Sequence, residues 1–180
     1  ARAAGMRTNP PPPIVDTDGV ASPTRERETI VVDWGTSAFR AWRVGADGAV
    51  LGRRVDPDGG ILAVAADGFD AALGQRVGDW LAPGTTVWLA GMVASRNGWV
   101  EAPYVPVPAT VRDLARAAVA REGPGGVELR FVPGVSQREP TPDVMRGEEI
   151  QVFGQLALSG TDGWLFVLPG THSKWVQVRA

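Results

Sequence analysis

Cysteine is absent from the 180 residues, and histidine occurs once, at His172. These two absences exclude a disulfide framework, a thiolate zinc site and any metal centre built from clustered histidines. No apolar run approaches the roughly 18 residues of a membrane span, and no apolar signal-peptide core lies near the first residues. The expectation is a soluble chain that is not exported, in a cytoplasmic setting. A formal charge of −2, without any basic block, offers no general field for nucleic acid or an anionic membrane. Neither is expected as a partner, so anionic ligands would have to be held locally. Nothing in the pattern sets an oligomeric state.

Proline and glycine, by contrast, are plentiful and unevenly placed. Residues 1–28 contain "NPPPP", scattered charge and few apolar side chains. Such a segment cannot bury enough surface to offset its chain entropy and is read as a disordered leader. The rest is long enough for one well-filled core. Residue 1 is Ala, the first methionine is Met6, and the sequence stops at Arg179-Ala180 just after a strand-like segment. The expectation is an incomplete reading frame, cut at both ends.

Ordered structure is expected to begin at Thr29, where "TIVVDWG" reads as a strand covered on both faces. Ala38 to Val44 and Ala49 to Val55 read as two more strands joined by "GADG", which makes an antiparallel meander. The period then changes. Phe69, Leu73, Val77 and Leu81 fall on one helical stripe, with Asp67 as candidate N-cap. Thr85 to Gly91 is a buried strand, and Met92 to Ala109 is a long loop. Thr110 and Asp113 form a capping pair for a helix from Val111 to Arg121. A strand from Val127 to Val132, a loop, and a helix from about Gly147 to Leu158 follow. A last hairpin starts at Trp164. The order β-β-β-α-β-α-β-α predicts an α/β domain whose mixed sheet has an antiparallel edge and a parallel centre. Trp42, Trp80, Trp88, Trp164 and Trp175 are expected to pack in the core.

Two hairpins carry the chemistry. "IVVDWGTSAFRAWRV" and "LFVLPGTHSKWVQV" each place Gly-Thr between strand-forming runs, with a cation and a tryptophan shortly after. A Gly-centred turn presents backbone N–H groups, and neighbouring hydroxyls add donors, so the pair can cradle phosphate oxygens. Gly35, Thr36 and Ser37 supply this in the first hairpin, and Gly170, Thr171 and Ser173 in the second. Arg40 and Lys174 are the matching cations. Asp33, at the end of a buried strand, could hold a hydrated magnesium ion facing the phosphates. His172 reads as a turn donor rather than a catalytic base. An isolated Asp-x-Gly-Thr is most often only a turn. Two copies at corresponding places shift the balance towards function.

The segments "DWGTSAFRAW", "LAGMVASRNGWVEAPYVPVPA", "VMRGEEIQVFG" and "LPGTHSKWVQ" resemble, in that order, the 2-dehydro-3-deoxygalactonokinase family. The element order is similar to half of the actin-like sugar-kinase fold, in which two ribonuclease-H-like domains each open with a meander. The resemblance implies a ribonuclease-H-like N-terminal domain over residues 29–160, and the first hairpin of a truncated second domain over residues 161–180. It also implies an ATP-dependent kinase that phosphorylates the 6-hydroxyl of the sugar acid 2-dehydro-3-deoxy-D-galactonate, with ATP and Mg2+ as cofactors. Glu148 and Glu149, in "RGEE", stand where related sugar kinases keep a catalytic acid. Either could be the base, with Glu148 favoured, and the other would complement the helix N-terminus, worth about 0.3–1 kcal/mol. Ser95, Asn97, Trp99 and Tyr104 are candidates for the sugar hydroxyls, and Arg96 or Arg146 for the carboxylate. A non-catalytic sugar-binding or regulatory protein of the same fold is the alternative, and a phosphatase of the superfamily is a third reading.

Overall fold

The structure is a computed structural model that describes residues 28–159, 164–170 and 172–179. The leader, apart from Glu28, lies outside the described residues, as do residues 160–163, where the two expected domains meet, and Thr171. β1 (Thr29–Trp34), β2 (Phe39–Val44) and β3 (Val50–Asp56) form the antiparallel meander. α1 (Phe69–Val77) leads to β4 (Thr86–Ala90), which lies parallel to β1. Next come β5 (Tyr104–Pro106), α2 (Val111–Ala117), β6 (Val119–Glu122) and β7 (Glu128–Phe131). β8 (Gly134–Gln137), β9 (Asp143–Met145) and α3 (Glu148–Ser159) precede the final pair, β10 (Leu165–Leu168) and β11 (Lys174–Gln177).

The main sheet has six strands in the order β3-β2-β1-β4-β7-β6. Its centre is parallel and both edges are antiparallel, as the alternation of elements requires. Ile30, Val32, Val87, Leu89, Leu129 and Phe131 from the three central strands are fully buried. Phe69, Leu73 and Val77 from α1 belong to the same core. Burying each such side chain contributes roughly 1.5–3 kcal/mol.

Several elements differ from the sequence reading, each because tertiary packing overrides local pattern. The helix expected to reach Arg121 ends at Ala117, and residues 119–122 become β6, the far edge of the sheet. Pairing with β7 gives their backbone groups partners that a solvent-exposed helix end would leave to water. The Thr110/Asp113 capping box is present at the start of that helix. α1 stops at Val77, and a 3₁₀ turn over Gly78–Trp80 carries Leu81 off the stripe. That turn drives Trp80 against β3, where a Cβ on Gly52 would lie 3.1 Å from the indole. Asp67 is not the cap; Gly68 holds that position without a side-chain bond. Two stretches read as loops contain β5, β8 and β9, a three-stranded sheet in the order β5-β8-β9. Trp80 is buried and Trp42 and Trp88 are half-buried, but Trp164 and Trp175 are 43% and 69% exposed. Their hairpin forms a two-stranded sheet by itself, so these two do not pack in the core.

Candidate active site

β1, β4 and α3 converge because two glycines let them. Gly91, just after β4, has φ of +91°, and a Cβ there would fall 2.9 Å from the Trp34 carbonyl oxygen and 3.2 Å from Asp33 Oδ1. Gly147, just before α3, has φ of +111°, and its Cβ would lie 3.3 Å from Gly91 Cα. Both positions favour glycine, and each allows a closer backbone approach than a side chain would. The end of β1 and the start of α3 are thereby stacked on either side of Gly91.

A cavity of about 600 Å³ opens beside this stack. Thr36 from the first hairpin and Met92 after β4 form one wall, and Tyr104 of β5 with Asp143, Val144 and Met145 of β9 form another. Arg146, Glu148 and Gln151 line it from α3 and the turn before, and Leu168, Pro169, Gly170, His172 and Lys174 from the second hairpin. Thr36, Tyr104, Arg146, Glu148, Gly170, His172 and Lys174 are therefore brought together as the sequence suggests.

Asp33 lies close behind, paired with Arg40 at 3.2 Å. Burial pushes its carboxyl above the usual range; Arg40 opposes this and the Glu148 charge adds to it. The two glutamates of α3 have different surroundings. Glu148 lines the cavity, and one carboxylate oxygen accepts from the Arg146 backbone N–H at 3.0 Å. Glu149 is fully buried, with both oxygens 2.8 Å from the Gly147 nitrogen. Loss of solvent pushes its carboxyl up to about 7, against the hydrogen bond from Gly147. The Arg146 guanidinium lies 4.3 Å over the Tyr104 ring and donates through Nη2 to the Ala102 carbonyl oxygen at 2.9 Å. Among the described residues its Nε and Nη1 have no hydrogen-bond partner.

Other candidates lie elsewhere. The Gly35 N–H donates to the Ala38 carbonyl oxygen at 2.9 Å, so it closes its own turn and is not free for a phosphate. The Ser37 side chain is exposed, as is that of Ser173, and neither lines the cavity. The Ser95 hydroxyl donates to the Met92 carbonyl oxygen at 2.7 Å and serves its own turn. Arg96 is exposed and faces Glu101 at 3.7 Å, and Asn97 is exposed as well. Trp99 stacks on Phe69 with ring centroids 5.7 Å apart and meets Trp34 and Phe131 edge-on, which makes it part of the core. Its loop turns inward because the Trp99 and Val100 N–H groups both donate to the Val93 carbonyl oxygen.

Asp143 and Gln151 are cavity residues that sequence reasoning did not single out. Asp143 pairs with Lys174 at 2.5 Å, and that hydrogen bond holds its carboxyl below the usual range. A lone acid in the stretch "PTPDVM" carries no local signal of that partner. Among the described residues no three His, Cys, Asp or Glu side chains cluster to hold a metal. A magnesium ion here would rest on Asp33, water and phosphate oxygens, a donor set that suits Mg2+.

The comparisons with known proteins point to one family. A sequence model of the 2-keto-3-deoxy-galactonokinase family matches residues 33–180. A Rhizobium meliloti (strain 1021) protein named as a probable 2-dehydro-3-deoxygalactonokinase is 42% identical over 149 residues, which make up 82% of this chain and 48% of that protein. The 2-dehydro-3-deoxygalactonokinase of Escherichia coli (strain K12) is 35% identical over 149 residues, again 82% of this chain and 48% of the relative. The crystal structure of a candidate 2-dehydro-3-deoxygalactonokinase from Sinorhizobium meliloti superposes with a TM-score of 0.75 at 40% identity, covering 84% of this chain and 50% of that one. The chain thus spans about half the length of the relatives it matches. It belongs to the 2-keto-3-deoxy-galactonokinase family.

Proposed function

We propose that this chain forms the substrate half of a cytoplasmic kinase that moves the γ-phosphoryl of ATP to the 6-hydroxyl of 2-dehydro-3-deoxy-D-galactonate. The observation that carries the reading is the cavity between two Gly-Thr hairpins, with Glu148 on its wall and Asp33 close behind. We read the architecture as a ribonuclease-H-like domain of the actin-like type over residues 29–160, with residues 161–180 opening a second such domain. The meander followed by parallel crossovers supports that reading.

In this mechanism the substrate O6 attacks the γ-phosphorus, the bond to the β-γ bridging oxygen breaks, ADP leaves, and the hydroxyl proton passes to the Glu148 carboxylate. Thr36, with Gly170, His172 and Lys174 of the second hairpin, holds the phosphates. Asp33 would hold Mg2+, which supplies neutralising charge at the phosphate oxygens. Arg146, braced by Tyr104 and Ala102, is the better placed of the two arginines for the substrate carboxylate, because it lines the cavity and Arg96 does not.

The test is Glu148→Gln in a full-length kinase that contains this segment. A positioned base contributes at least about 10²-fold, so kcat should fall by that factor or more with little change in KM. Unchanged kcat would remove Glu148 as the base. A wild-type enzyme that leaves the acid unphosphorylated would remove the function.

A further inference from the structure

Glu149 is fully buried, and the proton transfer above makes no use of it. Carboxylates are almost never wholly buried unless paired. Complementing the α3 dipole does not explain this burial, since an acid can do that while remaining in water. What Glu149 touches is the amide of Gly147, with both oxygens at 2.8 Å. Gly147, at φ of +111°, is so close to Gly91 that an added Cβ would lie 3.3 Å from Gly91 Cα, and one added at Gly91 would lie 3.2 Å from Asp33 Oδ1 and 2.9 Å from the Trp34 carbonyl oxygen. A continuous stack therefore runs from the Glu149 carboxylate through two glycines to Asp33.

Glycine permits this approach but does not hold it, because it has more backbone freedom to lose than any other residue. A buried acceptor fixed on its N–H selects one conformation. Resting on the kinase reading above, we propose that Glu149 is a positioning residue: by clamping the Gly147 amide it seats the start of α3 on Gly91 and sets the placement of Glu148 relative to Asp33.

The experiment compares Glu149→Leu, Glu149→Gln and Gly147→Ala in the full-length kinase. Misplacement of a catalytic group by about 1 Å can lower the rate about 10²-fold, so Glu149→Leu should lose kcat on that scale. KM for the sugar acid should stay within about threefold, as for an interaction that matters in the transition state. Glu149→Gln keeps an oxygen that accepts from Gly147 and should recover most of the loss. Gly147→Ala retains every carboxylate and should still lose kcat. Amide hydrogen exchange at Gly147 gives a readout independent of turnover: slow in the wild type and Glu149→Gln, fast in Glu149→Leu.

The proposal is overturned if Glu149→Gln is as inactive as Glu149→Leu, if Gly147→Ala keeps full kcat, or if the losses fall in KM. Should Glu149→Leu fail to fold, Gly147→Ala and the exchange rate in Glu149→Gln decide. A wild type that does not phosphorylate the acid overturns the kinase reading and the positioning role with it. The Gly147 exchange pattern separates that outcome from failure of the clamp itself.

Discussion

The two Gly-Thr hairpins share a sequence pattern but hold their cations differently. In the first, Arg40 pairs with Asp33, its direct partner in the β1–β2 register. In the second, Lys174 reaches Asp143, 31 positions away on another sheet. The first hairpin has its own acid two residues before Gly35, whereas Leu168 stands two residues before Gly170. The surroundings differ as well. The carbonyl oxygens of Gly35, Thr36 and Ser37 accept from the N–H groups of Ile61, Leu62 and Gly60, while a Cβ on Gly170 would meet nothing within 4 Å. One turn is braced and carries a carboxylate; in the other, among the described residues, Gly170 has open space beside it and Lys174 supplies a cation. The difference suggests a division of labour, with metal and phosphate geometry set by the first hairpin and charge neutralisation supplied by the second.

The largest effect should come from the acid that only the first hairpin has. Asp33→Asn in a full-length kinase should lower kcat by at least about 10²–10³-fold, the range for removing one preorganised electrostatic group. Binding of the sugar acid, measured calorimetrically without nucleotide, should persist because the role proposed for Asp33 is to hold the metal. Turnover near the wild-type rate would dissolve the asymmetry.

Next comes the bracing. A Cβ on Gly60 would collide with the Thr36 carbonyl oxygen and the Ser37 backbone, so Gly60→Ala must displace the first turn. Overpacking of this kind costs about 1–3 kcal/mol. Gly170→Ala has open space and should stay within about 0.5 kcal/mol. Chemical denaturation of both variants tests the contrast, and equal losses would mean that the turns are held alike.

How much of this was legible follows the range of each interaction. The Asp33–Arg40 pair could be read locally, because strand register places the two residues opposite each other. So could the central strands, from their β-branched runs, and the Thr110 capping box. The Lys174–Asp143 pair could not, since no periodicity links strands of separate sheets. Val119 to Glu122 continue an alanine-rich helical stretch, and only the free edge of β7 turns them into a strand. β5, β8 and β9 span three or four residues each, too short for alternation to register. Trp99 stands among polar residues in a glycine-containing loop, which suggests a sugar platform. Its burial depends on Phe69 and Phe131, both remote in sequence. The adjacent pair Glu148 and Glu149 shows the limit most clearly. Helical geometry says that they point about 100° apart, but which one faces the cavity depends on where Gly147 meets Gly91.

The smallest effect should separate the two cations. Lys174 has a side chain 12% exposed and is tied to Asp143, whose side chain is 51% exposed. With its carboxylate half in water, the pair contributes only ~0.2–1 kcal/mol, so Asp143→Asn should scarcely change stability. Its consequence should appear in nucleotide binding. In the first hairpin the partner of Arg40 is itself the proposed metal ligand, so that ion pair and the metal belong to one arrangement. In the second, Asp143 is given no such role and, on the proposed mechanism, would compete with phosphate oxygens for the same ammonium group. Removing that competition should lower KM for ATP by about two- to fivefold, the equivalent of ~0.5–1 kcal/mol. The gain should shrink as salt is added, because exposed charges are screened. A rise in KM for ATP would mean instead that Asp143 orients Lys174 towards the phosphates, and the second hairpin would then depend on a carboxylate as the first does, borrowed from β9.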